Sequence, residues 1–276
     1  MKAKDIFSSE EEAPDFNAEH IIEVKNVSFG YNNTKKILHD ISFTIDKPGF
    51  VCIVGPNGVG KSTLIKCING LLKPNEGEVR IYGKDVKDYS LKELAKIAGY
   101  VPVKTTEYNV MTVLDTVLIG RYAKQSWRTK PEDIAKAHKA LEVMEMDEYA
   151  MEYFRDLSAG QHQKVSIARG LVQEPKILIL DEPTANLDIR HQIYVSALLK
   201  EISARTGMTI LMISHDLNLA SKFADQVIMM EPPGRIHSIG DPRDVFKEQT
   251  ITDVYNVTCK VIEDEGAPHI ILEYVV

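Results

Sequence analysis

The chain has 276 residues, with 33 Lys and Arg against 40 Asp and Glu, so its net charge is −7 at neutral pH. Hydrophobic residues make up 44% and charged residues 26%, an ordinary globular balance that excludes a disordered chain. The acidic excess argues against a protein whose main task is gripping nucleic-acid phosphates, and no apolar run reaches the ~20 residues a membrane-spanning helix needs.

Residues 1–20 lack the apolar segment of a secretory signal. With Lys2, Lys4 and the run Glu10–Glu12, they read as a solvated tail. Ile21–Val24, Val27–Phe29, Ile41–Ile45 and Phe50–Val54 are short β-branched runs broken by Gly, Asn and Pro, the pattern of strands. Residues 104–157 change texture: from Thr112 to Leu118 and from Glu132 to Met146 the apolar spacing is helical. Residues 158–245 return to alternation. Ile177–Leu180 and Thr209–Ile213 are apolar runs of buried-strand length. Between them Ile189–Ile202 is amphipathic, with Ile193, Leu198, Leu199 and Ile202 against Arg190, Lys200 and Glu201. Residues 246–276 read as a short mixed piece of one helix and one or two strands. Strand–helix–strand alternation predicts an α/β fold with a parallel sheet covered by helices, the helical stretch being an insertion. Cys52, Cys67 and Cys259 cannot all pair and show no close metal-ligand spacing, so they read as reduced thiols packed as small hydrophobes.

Gly55-Pro56-Asn57-Gly58-Val59-Gly60-Lys61-Ser62-Thr63 fills every fixed position of the P-loop pattern. An apolar strand, Val51–Val54, precedes it and a helix-compatible run, Thr63–Asn69, follows. That context is what the chemistry requires. Glycines let the backbone curl so that its N–H groups face phosphate, and a helix N-terminus adds positive partial charge at the same point. Lys61 is expected to reach the β- and γ-phosphates and the Ser62 hydroxyl to ligate Mg²⁺. The run Ile177–Leu180 then delivers Asp181 and Glu182 at the C-terminal end of a strand, where parallel sheets place their ligands. Asp181 is expected to hold Mg²⁺ and Glu182 to polarise a water for in-line attack on the γ-phosphate.

Further motifs carry a resemblance. Leu157-Ser158-Ala159-Gly160-Gln161 resembles the signature motif of ABC ATPases, usually L-S-G-G-Q. Asp181-Glu182-Pro183-Thr184-Ala185-Asn186-Leu187-Asp188 resembles that family's Walker B and D-loop segment, and Ser214-His215-Asp216 its switch histidine. Tyr31 stands where the family places an adenine-stacking aromatic. The resemblance spans about residues 21–245. It implies a P-loop NTPase (RecA-like) parallel-sheet core with an antiparallel β piece, the core being 21–103 and 158–245, with an inserted helical subdomain at 104–157 and a C-terminal extension at 246–276. It further implies ATP and Mg²⁺ as cofactors and a head-to-tail dimer in which Ser158, Ala159, Gly160 and Gln161 act on the partner chain's ATP. His215 then contacts the γ-phosphate, and Asp188 crosses the dimer interface. A second phosphate-binding feature is otherwise superfluous in a chain that already holds a P-loop.

Two positions depart from the family pattern. Ala159 replaces the second signature glycine, which would cost ~1 kcal/mol if that position needed φ > 0. Gly99-Tyr100-Val101-Pro102 resembles the approach to the Q-loop, but Val103, followed by Lys104, stands in place of the metal-ligating glutamine. Valine carries no oxygen, and water would have to fill the coordination position.

Met111–Tyr122, Leu187–Gln192, His215–Ala220 and Gly240–Phe246 are similar to the importer branch for iron-siderophores, haem and vitamin B12. This implies an ATPase subunit at the cytoplasmic face of the membrane. Its partners would be a membrane-embedded permease, touched around Val103–Tyr122, and indirectly an extracytoplasmic binding protein, with no nucleic acid. Importers of another metal or an oxyanion, a soluble ABC ATPase outside transport, and a regulatory nucleotide-binding module remain alternatives. The cargo is not written in this chain.

Overall fold

The computed structural model describes residues 19–32, 35–103, 110–122, 124 and 129–275. Apart from Glu19 and His20, the expected tail lies outside these residues, as does Lys104. The described residues belong to two compact units. One runs from Ser90 to Met208, and the other combines the chain up to Tyr89 with Thr209 onward.

The second of these begins with β1 (Ile22–Phe29), β2 (Leu38–Ile45) and β3 (Phe50–Val54), followed by α1 (Lys61–Ile68), β4 (Glu76–Ile81) and the two-residue β5 (Lys84–Asp85). The expected runs at 21–24 and 27–29 are one strand. Asn26, with φ 49, makes a bulge between Val24 and Val27 that keeps both apolar runs pointing into the core. β1 pairs antiparallel with β2 (Ile22 opposite Ile45) and with β4 (Ile22 opposite Ile81), giving the expected antiparallel piece. β3 is buried at every position, as its unbroken apolar run predicts.

The chain then enters the Ser90–Met208 unit. It forms α2 (Leu91–Ile97), β6 (Ala98–Val101), α3 (Val113–Leu118), α4 (Pro131–Val143), α5 (Ala159–Leu171), β7 (Ile177–Leu180) and α6 (Ile189–Thr206). Helix starts are written locally. Thr112 and Asp115 form a capping box on α3, and Pro131 with Glu132 and Asp133 opens α4. α3, α4 and α5 pack against one another, and Val113, Val117, Ala137, Leu141, Val165 and Ala168 on them are buried. β6 and β7 pair parallel, Ala98 opposite Ile177 through Val101 opposite Leu180.

Buried charge braces this unit. Arg121, 9% exposed, donates from Nε to Asp133 at 2.9 Å and from Nη1 to Glu174 and to the Val172 carbonyl, both at 3.1 Å. Lys136 reaches the same Glu174 oxygen at 2.7 Å. The sequence gives no warning of this network, because its members lie far apart along the chain.

Returning to the other unit, the chain forms β8 (Thr209–Ile213), α7 (Leu217–Phe223), β9 (Gln226–Glu231), β10 (Arg235–Gly240), α8 (Pro242–Val245), α9 (Glu248–Tyr255), β11 (Val257–Asp264) and β12 (Ala267–Val275). β3 pairs parallel with both β8 and β9, while β9 pairs antiparallel with β10, so the sheet of this unit is mixed. The final piece is the expected helix followed by a β11–β12 hairpin.

Candidate active site

β3 ends at Val54, and the P-loop begins at Gly55 with φ 146. A Cβ there would lie 2.4 Å from the Met230 carbonyl oxygen, so the sheet edge admits only glycine. Gly60 holds the helix N-cap position at φ 103, a left-handed turn that aims the first N–H groups of α1 into the loop. Lys61 is 5% exposed and folds back over the loop, donating from Nζ to the Gly55 carbonyl at 2.6 Å and the Pro56 carbonyl at 2.8 Å. Its ammonium is thereby fixed among backbone groups at the cradle, with Ser62 half-buried beside it and Thr63 buried. Asn57 and Gly58 form the exposed tip, and Val59 anchors the loop in the core at 4% exposure.

β8 leaves the sheet beside β3, since the Ser214 N–H donates to the Ile53 carbonyl at 3.1 Å. His215, exposed, therefore emerges next to the strand exit that carries Gly55. Asp216 caps α7 by accepting from the Asn218 and Leu219 N–H groups at 2.8 and 2.9 Å, which fixes the turn holding His215. Tyr31 is 59% exposed and rests edge-on against Phe29, ring centroids 5.1 Å apart, so one face is open to a stacking partner.

The Ser90–Met208 unit holds the remaining predicted residues. Asp181, 2% exposed, follows β7 directly, and its N–H donates to the Val101 carbonyl at 2.9 Å. Tyr100 on β6 donates its hydroxyl to Asp181 Oδ2 at 3.4 Å. Burial and the neighbouring carboxylate both hold the Tyr100 phenol well above its ordinary range, so it stays protonated as a donor. Reading the sequence missed this residue. Its place three positions before Val103 was visible, but the direction of its hydroxyl depends on the β6–β7 register. Glu182 sits at φ 51, a left-handed conformation that costs a non-glycine residue of order 1–3 kcal/mol. Such strain persists where surrounding structure fixes a side chain's direction, which suits a group placed for chemistry.

Ser158 caps α5. Its hydroxyl accepts from the Gln161 N–H at 3.3 Å, and Gln161 accepts from the Ser158 N–H at 2.8 Å. Ala159 is the first residue of the helix and has no positive φ, so the replacement of glycine carries no backbone cost. Gly160 faces the loop after Glu182, with the Asn186 carbonyl 3.4 Å from where a Cβ would stand. Asp188 caps α6, accepting from the His191 backbone N–H at 2.9 Å and pairing with its imidazole at 2.8 Å. Those two bonds lower its pKa. Val103 is half-buried just past β6.

Among the described residues no helix is long and apolar enough to cross a membrane, and no cluster of three His, Cys, Asp or Glu forms a metal cage. The Ser62 hydroxyl in one unit and the Asp181 carboxylate in the other are each hard-oxygen donors of the kind Mg²⁺ takes, with several waters retained.

The ABC transporter family model matches residues 38–185. An uncharacterised ABC transporter ATP-binding protein of Methanocaldococcus jannaschii is 42% identical over 251 residues, 91% of this chain and 97% of that one. The hemin import ATP-binding protein of Rhizobium meliloti is 37% identical over 82% of this chain and 88% of its own. Among solved structures, a transporter described as of metal-chelate type in an inward-facing conformation aligns with TM-score 0.78 and 25% identity over 93% of this chain and 98% of that one. The ATP-binding cassette MJ0796, as a dimer in a post-hydrolysis state with ADP and Pi, aligns with TM-score 0.73 and 30% identity over 80% and 98%.

Proposed function

The chain belongs to the ABC transporter family of ATP-binding proteins, and from that premise we propose that it is the ATP-hydrolysing subunit of an importer for a metal chelate: an iron-siderophore, haem or cobalamin. Residues 21–103 and 158–245 form its ATPase core, 104–157 its helical subdomain and 246–276 its C-terminal extension.

The observation that carries the reading is doubled phosphate chemistry. One unit holds a complete P-loop with Lys61 fixed over its carbonyls. The other holds a second capped helix start at Ser158 that one ATP does not require. Two copies meeting head to tail use both, each ATP lying between one chain's P-loop and the other's signature. Binding then draws the copies together, because each nucleotide contacts both.

Within each site Tyr31 stacks on the adenine, while Lys61 and the loop N–H groups hold the β- and γ-phosphates. Ser62 and Asp181 would hold Mg²⁺, which neutralises phosphate charge when bound. Tyr100 steadies the Asp181 carboxylate. Glu182 takes the proton of a water attacking the γ-phosphorus as the bond to the β-phosphate oxygen breaks, and His215 orients that water. The products are ADP and phosphate. Val103 offers no oxygen ligand, and water would have to serve at its position.

Docking to a permease is supported by an apolar surface in the helical subdomain. The Val113 N–H donates to the Glu152 carbonyl and the Phe154 N–H to the Met111 carbonyl, both at 2.9 Å, which sets residues 110–113 beside 151–154. Val110 is 82% and Met151 75% exposed there, with Tyr153 also exposed. The subunit then lies on the cytoplasmic face through its permease, and an extracytoplasmic binding protein delivers cargo.

The test is steady-state Mg²⁺-dependent ATP hydrolysis against protein concentration, wild type beside Glu182→Gln. The expected rate rises faster than linearly. Glu182→Gln binds ATP unchanged and turns over roughly 10²–10⁴ more slowly, the usual worth of a general base. Equal turnover removes Glu182 from that role, and a strictly linear rate removes the shared site.

A further inference from the structure

His215 lies in the turn between β8 and α7, and its two neighbours lace that turn shut. The Ser214 hydroxyl donates to the Asp216 carbonyl at 3.0 Å and accepts from the Asp216 N–H at 3.2 Å. The Asp216 carboxylate in turn holds the first N–H groups of α7. The turn therefore goes where α7 goes. α7 has only 7 residues. Isolated helices below ~12–15 residues are marginal in water, so its place is set by what it packs on.

Three side chains of α7, spaced to share one face, bond the C-terminal hairpin. Asn218 donates from Nδ2 to the Ile270 carbonyl at 3.1 Å and accepts at Oδ1 from the Ile270 N–H at 2.7 Å. Ser221 donates to the Pro268 carbonyl, and Lys222 pairs at 3.4 Å with Glu265 in the turn between β11 and β12. Val261, opposite Ile270 on β11, sends its own N–H to Glu248 at 3.0 Å rather than across the pair. The Ile270 backbone groups thus point away from β11, and the Asn218 amide takes both of them as a neighbouring strand would. Two bonds to one residue fix direction as well as distance.

We propose that Asn218 is a positioning residue for His215. By clamping Ile270 it seats α7 on the C-terminal hairpin, and the seated helix holds the turn that presents the imidazole to the attacking water. This rests on reading His215 as the group that orients that water. The bland alternative is that Asn218 only covers the open edge of β12, a protection against pairing with other chains. Its loss would then cost stability and leave the chemical step alone.

The experiment compares the full-length wild type with Asn218→Ala, Ser221→Ala and His215→Gln. It measures kcat and KM for MgATP, equilibrium binding of a fluorescent ATP analogue, and the imidazole NMR signals of protein isotope-labelled at histidine. The His215 signal is the one lost in His215→Gln. Asn218→Ala is expected to lower kcat about three- to tenfold, the worth of a neutral hydrogen bond, with KM and Kd within about twofold because the P-loop is untouched. The His215 signal shifts or broadens. Ser221→Ala moves kcat and the signal in the same direction by less, and it carries the test if Asn218→Ala does not fold. Where His215→Gln retains measurable turnover, adding Asn218→Ala to it lowers kcat no further. An unmoved His215 signal overturns the proposal even if the melting temperature falls, and so does an unchanged kcat beside a slow His215→Gln or an equal fold-loss on both backgrounds. If His215→Gln turns over as fast as wild type, the reading of His215 fails, and its signal in Asn218→Ala still decides whether Asn218 places it.

Discussion

Arg121→Met tests the buried ion network by removing charge at nearly constant volume. In the wild type the guanidinium is 9% exposed and bonds two carboxylates, one on Asp133, which is 5% exposed, and one on Glu174. The two are not left equally stranded. Glu174 keeps the Lys136 ammonium at 2.7 Å, and Asp133 keeps the Lys130 N–H at 3.2 Å among its contacts. Breaking a buried pair from one side costs about 3–5 kcal/mol, because the remaining charge stays desolvated. Retained contacts place this case near 3 kcal/mol. For a chain of this size that is a fall of roughly 6–12 °C in melting temperature. The assay is urea denaturation followed by tryptophan fluorescence and by circular dichroism. Adding Asp133→Asn should return about 1–2 kcal/mol by removing the stranded charge. A loss under about 1 kcal/mol, or a double variant weaker than the single, refutes the view that Arg121 serves mainly to neutralise Asp133.

The other two predictions concern a cap and a turn. Asp188→Ala removes the N-cap of α6 and should lower stability near neutrality. Asp188 has a lowered pKa in the folded chain, held by the His191 N–H and imidazole, so its contribution is present above the unfolded carboxylate value and lost as pH falls through the folded one. Wild type and variant should therefore converge in strong acid, and a pH-independent gap would contradict the cap. Gly55→Ala forces a Cβ to 2.4 Å from the Met230 carbonyl in a left-handed backbone region, which should cost roughly 1–3 kcal/mol and weaken ATP binding. Wild-type stability and affinity together would show that β3 and β9 part without penalty.

Contiguous residues carry the motifs to which the nucleotide chemistry is assigned. The P-loop, Asp181 with Glu182, the Ser158 helix start and the Asp188 cap each depend on neighbours within a few positions, because backbone curl, strand exit and helix capping are short-range interactions. The helical spacing at 112–118 and 132–146 and the apolar runs at 50–54, 177–180 and 209–213 were legible for the same reason: burial imposes its period directly on the residues. β10 went unread because Arg235–Gly240 has no clean period, while β9 went unread although Val227–Met230 is a buried apolar run as long as Ile177–Leu180. Tertiary structure alone decided which partners distant polar groups find. Tyr100 reaches Asp181 only through the β6–β7 register, and Arg121 finds Glu174 only because helices cross. Asn218 meets Ile270 only because a C-terminal hairpin returns to α7. A hydroxyl or a guanidinium carries the same sequence signature whether it faces water or a buried carboxylate. What distinguishes them is the cost of leaving that partner unsatisfied once the chain has closed around it.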